Sequence, residues 1–301
     1  MDTYDIVVIG GGMAGLSAAL YGGWLGRKVF LAERQMFGGQ IVNADQIENY
    51  PGLADGVLGA DLVSQLRMQA IKFGATMQYL EITGIEARDS AFRLQTTEEP
   101  VEAKTVIIAT GGKPRGLGVQ GESGLEGRGV SHCATCDGPF FAAKPVAVVG
   151  GGDTALDEAL YLSKIASEVT IIHEGEIPSA SDTLLRRAKE ATNIEFVAHA
   201  TVEEIIGNDS VEGVRLTNSL KKNIAGLFIA TGFEPETSLF KHLVEFDPMG
   251  HIAVDLHMQT SVPGVFAVGY SRQGSAGQLA SVSGDGVTAA VAAHRHIKIN
   301  A

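Results

Sequence analysis

The chain has 301 residues, 45% of them hydrophobic and 38 of them glycine, with a formal net charge of −12 at pH 7. This length predicts about two domains of roughly 150 residues each, and an acidic chain without a Lys/Arg run argues against nucleic acid or an anionic membrane as partner. No apolar run approaches the ~20 residues of a membrane span, and a first strand predicted near Asp5 leaves no room for a signal peptide, so we expect a cytoplasmic protein.

The first predicted element is an apolar strand over residues 6–9, which leads through a glycine turn into a helix. Gly10, Gly12 and Gly15 have the spacing G-x-G-x-x-G. In a nucleotide-binding fold these glycines make the turn, admit a pyrophosphate to the backbone and let the helix pack on the strand. A second apolar strand over residues 29–33 ends at Glu33, where a carboxylate accepts hydrogen bonds from ribose hydroxyls. The segment predicts a dinucleotide site, with a plain strand–helix turn as the alternative.

The two cysteines of the chain, Cys133 and Cys136, are separated by two residues. A C-x-x-C pair can cycle between dithiol and disulfide, and in a cytosolic chain it indicates catalysis or metal binding. Zinc needs four ligands and the sequence has no second C-x-x-C pair, so we predict no metal. A purely structural disulfide is the remaining alternative. The adjacent His132 would favour the Cys133 thiolate if protonated, or be a solvated loop residue.

A second copy of the strand–turn–helix unit follows at residues 146–161, with Gly150 and Gly152 in the turn. Its second strand ends at His173 and is followed by Glu174, where an NADP site places arginine for the 2′-phosphate. A carboxylate repels that phosphate, so the residues argue against NADPH and leave NADH, FAD or an empty, decayed site. The triplet Ala-Thr-Gly also recurs, at 109–111 and 230–232. The sequence therefore predicts two nucleotide-binding α/β units, the first interrupted by the second.

These features and several further motifs together resemble the low-molecular-weight thioredoxin reductases, which are flavoprotein disulfide reductases with two dinucleotide folds. The most specific motif is C-A-T-C-D-G at residues 133–138, directly before the second glycine turn. The resemblance spans almost the whole chain. It also rests on segments 38–40, 48–52, 109–111, 150–154, 264–269 and 283–286, and on Gln278.

The resemblance implies an α/β fold of two Rossmann-like, three-layer dinucleotide-binding domains, with the second inserted into the first. Residues 1–113 and 243–301 would form the FAD-binding domain, and residues 114–242 the inserted domain with the redox pair. The resemblance also implies a homodimer that acts on a thioredoxin-like protein or another disulfide. Carried over to this sequence, Cys136 faces the flavin, Cys133 attacks the substrate disulfide and Asp137 is the nearby acid–base group.

The same resemblance assigns residues to two nucleotide sites. The set expected at FAD is Gly10, Gly12, Met13, Ala14, Gly15, Glu33, Arg34, Gly39, Gln40, Asn49, Thr110, Gly111, Gly269, Tyr270, Gln278, Leu279 and Asp285. The set expected at the second site, for a second FAD or NADH, is Gly150, Gly152, Asp153, Thr154, His173 and Glu174. Asp285 precedes the last predicted helix, Gly286 to His296, and is expected either to cap it or to lie near the flavin with Gln278.

Two positions depart from the family pattern. The arginine pair that recognises NADP is replaced by Glu174 and Gly175, and an aspartate that contacts FAD is replaced by Tyr270. We expect Tyr270 either to stack near the flavin or to be an ordinary core residue. Both changes resemble divergent branches of the family that do not use NADPH. Some of those branches take electrons from ferredoxin or a similar carrier such as flavodoxin, and some hold a second flavin.

The leading functional prediction is an FAD-dependent thiol–disulfide oxidoreductase. It passes electrons from reduced flavin to the Cys133–Cys136 disulfide and on to a substrate disulfide, without NADPH. The alternatives are an NAD(P)H-dependent thioredoxin reductase, a dithiol oxidase that uses oxygen, and a redox-sensing flavoprotein without turnover.

Overall fold

The computed structural model describes residues 3–88 and 91–300. Its α-helices are α1 (Met13–Trp24), α2 (Gly59–Lys72), α3 (Glu122–Leu125), α4 (Ala134–Asp137), α5 (Asp153–Ser163), α6 (Asp182–Glu190) and α7 (Leu279–Ile299). Its strands are β1 (Thr3–Ile9), β2 (Val29–Glu33), β3 (Thr76–Tyr79), β4 (Ile82–Ala87), β5 (Phe92–Thr96), β6 (Val101–Ile108), β7 (Gly112–Pro114), β8 (Val130–Ser131), β9 (Pro145–Val149), β10 (Glu168–Ile172), β11 (Ile194–Val197), β12 (Val202–Ile206), β13 (Gly213–Leu216), β14 (Lys221–Asn223), β15 (Gly226–Ile229), β16 (Phe233–Pro235) and β17 (Val265–Ala267). Short 3₁₀ helices span Gly39–Asn43, Gly138–Phe141, Ser238–Phe240 and Gly269–Ser271.

The chain forms two compact units. Unit 1 comprises the chain up to Lys113 and from Pro235 onward, and unit 2 comprises Pro114–Glu234. The chain therefore re-enters unit 1 at Pro235. The sequence analysis had predicted that it re-enters at residue 243. The reason is packing, because Phe240 and Val244 are buried against the strands of unit 1.

Unit 1 is built on a mostly parallel sheet with the strand order β3-β2-β1-β6-β5-β4, and β17 also pairs with β6. Strand β1 is apolar on both faces, as expected for a parallel strand covered on both sides. Its Ile6 and Val8 pack into a core shared with α1, α2 and α7. Its Val7 and Ile9 pack into a second core shared with the β4–β5 hairpin and residues 240–252. The sheet thus has two filled faces, and the turn after β1 lies at its carboxyl edge.

Unit 2 repeats this plan on a smaller scale. A parallel sheet has the order β11-β10-β9-β15-β8, and an antiparallel sheet has the order β12-β13-β14. One core lies between β9, β10 and the helices α5 and α6, and another lies on the opposite face with β12 and β13. The succession β1-α1-β2 of unit 1 recurs as β9-α5-β10. The predicted α/β class with two Rossmann-like folds is confirmed.

Among residues 3–88 and 91–300, no helix combines the length and apolar character needed to cross a bilayer.

Candidate active site

The glycine turn of unit 1 has a backbone that larger residues cannot adopt. Gly10 has φ +104°, and a Cβ there would overlap the backbone of Ala109. A Cβ on Gly15 would overlap the carbonyl oxygen of Gly10, so α1 packs tightly on the turn. Gly12 is the N-cap of α1, and a Cβ there would meet its first neighbour only at 4.0 Å. Met13 and Ala14 are buried in the first turn. The open side at Gly12 leaves room for a phosphate at the helix start.

Glu33 closes this turn from the end of β2. Its Oε2 accepts a hydrogen bond of 2.6 Å from the backbone N–H of Gly11, and its Oε1 accepts one of 2.7 Å from the N–H of Gln35. The next residue, Arg34, forms an ion pair of 2.6 Å with Glu236. The carboxylate and the guanidinium are therefore both fixed at the edge of the turn.

A cavity of about 430 Å³ opens beside these residues. Its lining comprises Ile9, Gly10, Ala32, Glu33, Arg34, Leu80, Glu81, Ile82, Thr83, Thr110, Glu236, Ser238, Leu239 and Phe240. Thr110 donates a hydrogen bond of 2.6 Å to the carbonyl oxygen of Glu236, and the carbonyl of Gly111 accepts one of 3.0 Å from the N–H of Glu236. An acidic group, a glycine turn and an apolar wall in one cavity fit the adenosine end of a dinucleotide. Sequence reasoning missed Glu236 and the segment 81–83.

A second cluster of predicted residues gathers at the other side of the turn. Gly38 forms a parallel bridge with Gly12, and the 3₁₀ helix with Gly39 and Gln40 follows it. The side-chain amide of Asn49 donates a hydrogen bond of 3.3 Å to Oε1 of Gln278, the N-cap of α7. Leu279 begins that helix. Residues from both ends of the chain thus meet beside the glycine turn.

Asp285 lies inside α7, and its predicted position ahead of the last helix is wrong. The helix starts at Leu279, with Gln278 as its N-cap. The side chain of Asp285 does not cap the helix, because it accepts a hydrogen bond of 3.1 Å from the N–H of Gly269 and two of 2.8 Å from Arg272. Sequence reasoning missed Arg272.

Tyr270 is half-buried next to this ion pair. Its ring lies 5.4 Å from the ring of His251, at an interplanar angle of 70°. Nδ1 of His251 in turn lies 3.4 Å from Oδ2 of Asp247. The ring of Tyr270 is therefore packed edge-on against an imidazole.

The cysteine pair lies at the start of α4 in unit 2, and Cys133 and Cys136 form a disulfide. The N–H of Cys136 points at Sγ of Cys133 at 3.2 Å, and Oγ1 of Thr135 is 3.5 Å from the same sulfur. Both groups can stabilise a thiolate on Cys133. Nδ1 of His132 is instead 3.2 Å from the carbonyl oxygen of Ile229.

Asp137 is tied to the same loop through the buried Ser131. Oγ of Ser131 donates a hydrogen bond of 2.6 Å to Oδ2 of Asp137 and accepts one of 3.0 Å from the N–H of Cys133. One hydroxyl therefore connects the predicted acid–base group to the backbone of the nucleophile. Sequence reasoning missed Ser131, because a single serine in a two-residue strand carries no signal.

The second glycine turn leads from β9 into α5. Gly150 has φ +141° and packs against Ala230, while Gly152 is the N-cap of α5 with open space around it. Oδ1 of Asp153 accepts a hydrogen bond of 2.6 Å from the N–H of Ser181, and the next residue, Thr154, is exposed. The loop after β10 thus folds against the first residue of the helix.

The end of β10 carries the groups expected to select the nucleotide. His173 is buried, its Nδ1 has no hydrogen-bond partner among the described residues, and burial together with His199 lowers its pKa. Glu174 is exposed. From this strand to Leu185 the sequence has no Arg or Lys. This edge is therefore acidic where a 2′-phosphate needs a cation.

Among the described residues, no group of three or more His, Cys, Asp or Glu side chains is arranged to hold a metal ion. One Rossmann-like unit has a glycine turn that is hydrogen-bonded to a carboxylate, and the second such unit has a C-x-x-C disulfide. These two features together define the class of two-domain disulfide oxidoreductases.

Comparisons with known proteins agree with this class. The family model described as pyridine nucleotide-disulphide oxidoreductase matches residues 4–294. The chain is 40% identical to a thioredoxin reductase of Treponema pallidum over 305 residues, which cover 99% of this chain and 98% of that one. The structure of Lactococcus lactis thioredoxin reductase in its FR conformation superposes with a TM-score of 0.96 at 36% identity, covering 98% of this chain and 99% of that one. A ferredoxin-flavin thioredoxin reductase from Clostridium acetobutylicum has a TM-score of 0.55 at 28% identity, with 99% of both chains covered.

The chain belongs to the pyridine nucleotide-disulphide oxidoreductase family. The predicted resemblance to low-molecular-weight thioredoxin reductases and the predicted enzyme class, an oxidoreductase acting on sulfur groups, are confirmed. The family implies FAD as the cofactor. The glycine turn of unit 1, with Glu33 and the cavity beside it, fits this cofactor. The assignment of individual residues to the two nucleotide sites stays a prediction.

Proposed function

We propose that this protein is an FAD-dependent thiol–disulfide oxidoreductase that reduces a thioredoxin-like protein and does not take its electrons from NADPH. The observation that carries the proposal is the Cys133–Cys136 disulfide, whose first sulfur faces an N–H and a hydroxyl that can stabilise a thiolate. The relatives named thioredoxin reductase support a thioredoxin-like substrate. A homodimer and a cytoplasmic location stay predictions.

In this proposal FAD supplies the two electrons that reduce the disulfide. Gly10 and Gly12 keep the backbone open to its pyrophosphate, and Glu33 accepts hydrogen bonds from its ribose. With FAD bound, Cys136 would be the cysteine that exchanges electrons with it, and Cys133 would attack the substrate disulfide. Asp137 moves a proton at the pair, and Ser131 holds its carboxylate in place.

We infer the electron donor from the residues of the second nucleotide site. An exposed Glu174 follows β10 at the position where NADP enzymes present arginine, and the sequence has no Arg or Lys from there to Leu185. A reduced ferredoxin or flavodoxin is the donor we favour, since a structural neighbour is named a ferredoxin-flavin thioredoxin reductase. A second FAD or NADH, with its phosphates at the glycine turn of residues 150–154 and its ribose at Glu174, is the other arrangement that these residues permit.

The test is anaerobic mixing of the FAD-loaded protein with excess NADPH, followed through the visible absorbance of the flavin. We expect no bleaching with NADPH and rapid bleaching with chemically reduced ferredoxin or flavodoxin. Rapid bleaching by NADPH would establish the NAD(P)H-dependent alternative. Cys136→Ser is the control for the second step: it should bind FAD and accept electrons, yet leave a thioredoxin-like disulfide unreduced. Reduction of that disulfide by the variant would contradict the assigned roles.

A further inference from the structure

A half-buried glutamate on α5 lies against the helix that carries the cysteine pair. Glu158 on α5 accepts a hydrogen bond from the backbone N–H of Ala134, the residue bonded to Cys133. Its Oε2 is withdrawn from solvent and has no hydrogen-bond partner among the described residues. A buried carboxylate oxygen without a donor is costly when charged. The site therefore stabilises the protonated acid more than an exposed position would.

The neighbouring charges reinforce this preference. Burial and the adjacent Asp157 raise the pKa of Glu158 to about 7, and the Ala134 N–H only partly offsets them. The elements packed against α5 carry other charged or titratable groups, namely Asp137 on α4, Glu168 and His173 at β10, and Asp182, Arg186, Arg187, Lys189 and Glu190 on α6. None of these cations lowers the pKa of Glu158, and Asp137 is paired with Ser131.

Cys133 is the sulfur prepared to carry charge when the disulfide opens. The N–H of Cys136 and the hydroxyl of Thr135 both face its Sγ. A thiolate at Cys133 and a carboxylate at Glu158 would be two negative charges connected through Ala134, which is bonded to Cys133 and donates its N–H to Glu158. Like charges close to each other disfavour each other's ionised form, and their titrations become coupled.

We propose that Glu158 is a positioning residue that takes up a proton when the Cys133–Cys136 disulfide is reduced, and so keeps the Cys133 thiolate free of a charged neighbour. The step is balanced: the disulfide, the Glu158 carboxylate, two electrons and two protons give the Cys133 thiolate, the Cys136 thiol and the Glu158 acid. The electrons come from the reduced FAD of the proposed function, on which this inference rests, and the protons come from solvent.

The test measures the thiol itself. The protein is reduced with a phosphine, and the rate at which iodoacetamide alkylates Cys133 is followed by peptide mass spectrometry from acidic to alkaline pH. We expect two steps in the wild-type profile, because Cys133 and Glu158 titrate together. Glu158→Gln should leave a single step at lower pH, with alkylation about tenfold faster at pH 7.5, for one pKa unit of lost repulsion. Glutamine can still accept from the Ala134 N–H, so a purely structural role predicts no change in the profile.

Two variants complete the design. Asp157→Asn removes the neighbour that raises the pKa of Glu158, so it should keep both steps and move the lower one to lower pH. Glu158→Asp should also keep two steps. A two-step profile in Glu158→Gln, with a neutral-pH rate within about twofold of wild type, would overturn the proposal. If thermal melting shows that Glu158→Gln does not fold, an unshifted profile in Asp157→Asn overturns it instead.

The outcome separates this inference from the proposed function, because alkylation needs neither the electron donor nor the flavin. A protein that shows the two-step profile but reduces no thioredoxin-like disulfide would contradict the proposed function alone. A protein that reduces the substrate but shows one step for Cys133 would contradict the role of Glu158 alone.

Discussion

The ion pair between Arg272 and Asp285 should be one of the strongest single interactions in unit 1. Only 15% and 7% of the two side chains are exposed. The carboxylate accepts two hydrogen bonds of 2.8 Å from Arg272 and one of 3.1 Å from the Gly269 N–H. Removing one partner of a buried pair costs about 3–5 kcal/mol, because the other charge is left unpaired. Asp285→Asn keeps the shape and one acceptor oxygen, so we expect a loss of about 3 kcal/mol, the lower limit of that range.

The assay is a double-mutant cycle in urea, followed by circular dichroism with FAD in saturating excess. Asp285→Asn and Arg272→Met should each lower the free energy of unfolding by about 3 kcal/mol. The double variant should lose at least about 1.5 kcal/mol less than the sum, since neither charge is then left alone. Lys104→Met, which breaks a half-exposed pair with Asp5, is the control and should cost under about 1 kcal/mol. Additive losses in the cycle, within about 0.5 kcal/mol, would refute the coupling.

Two further predictions concern the cysteine helix. The folded-state pKa of Glu158, about 7 against an ordinary value of 4.5, means that its ionisation opposes folding. At about 1.4 kcal/mol per pKa unit the penalty is about 3 kcal/mol. The penalty is absent below pH 4.5, grows as pH rises and is complete above pH 7. In urea unfolding, Glu158→Gln should therefore stabilise the protein at pH 8 and not at pH 4.5. Equal effects of the substitution at both pH values would contradict this prediction. Ser131→Ala removes the hydroxyl that joins Asp137 to Cys133. It should slow turnover with a thioredoxin-like disulfide about tenfold and leave FAD binding unchanged. Unchanged turnover would show that this hydroxyl is dispensable.

Much of the fold was predictable because its signals are local in sequence. Strand β2 ends at Glu33 as predicted, since its apolar run is buried on both faces and stops at the first charged residue. The glycine turns were predictable for a steric reason. At Gly10 and Gly150 the backbone has positive φ and touches a neighbouring strand, which only glycine tolerates.

What the sequence did not reveal depends on contacts between distant segments. Glu236 contacts Arg34 and Thr110 only because the chain returns to unit 1. No local sequence pattern predicts these contacts. The start of α7 was placed too late because Ser281–Gly284 contains residues with low helix propensity. Packing overrides propensity there: Gly286 lets α7 approach the backbone of Ala14 on α1. Asp285 was therefore placed ahead of the helix instead of inside it.

Glu158 did leave a signal, although a weak one. It lies three residues after Ala155 and four before Leu162, both fully buried, so helical periodicity places an acid on the apolar face of α5. An acid on the apolar face of a helix is unfavourable for folding, so its presence there indicates a functional role.

Two carboxylates with different surroundings thus lie at the cysteine pair, Asp137 on α4 and Glu158 on α5. Asp137 accepts a short hydrogen bond from a hydroxyl, whereas Glu158 has one oxygen buried without any donor among the described residues. Two acids in contrasting environments can divide two tasks, with one relaying protons at the reacting pair and one adjusting the charge around it. A disulfide that must accept electrons from one side and deliver them to a partner needs both, because the pair gains and loses negative charge in every cycle. Replacing Asp137 should therefore slow the chemistry at every pH, whereas replacing Glu158 should change mainly its pH dependence.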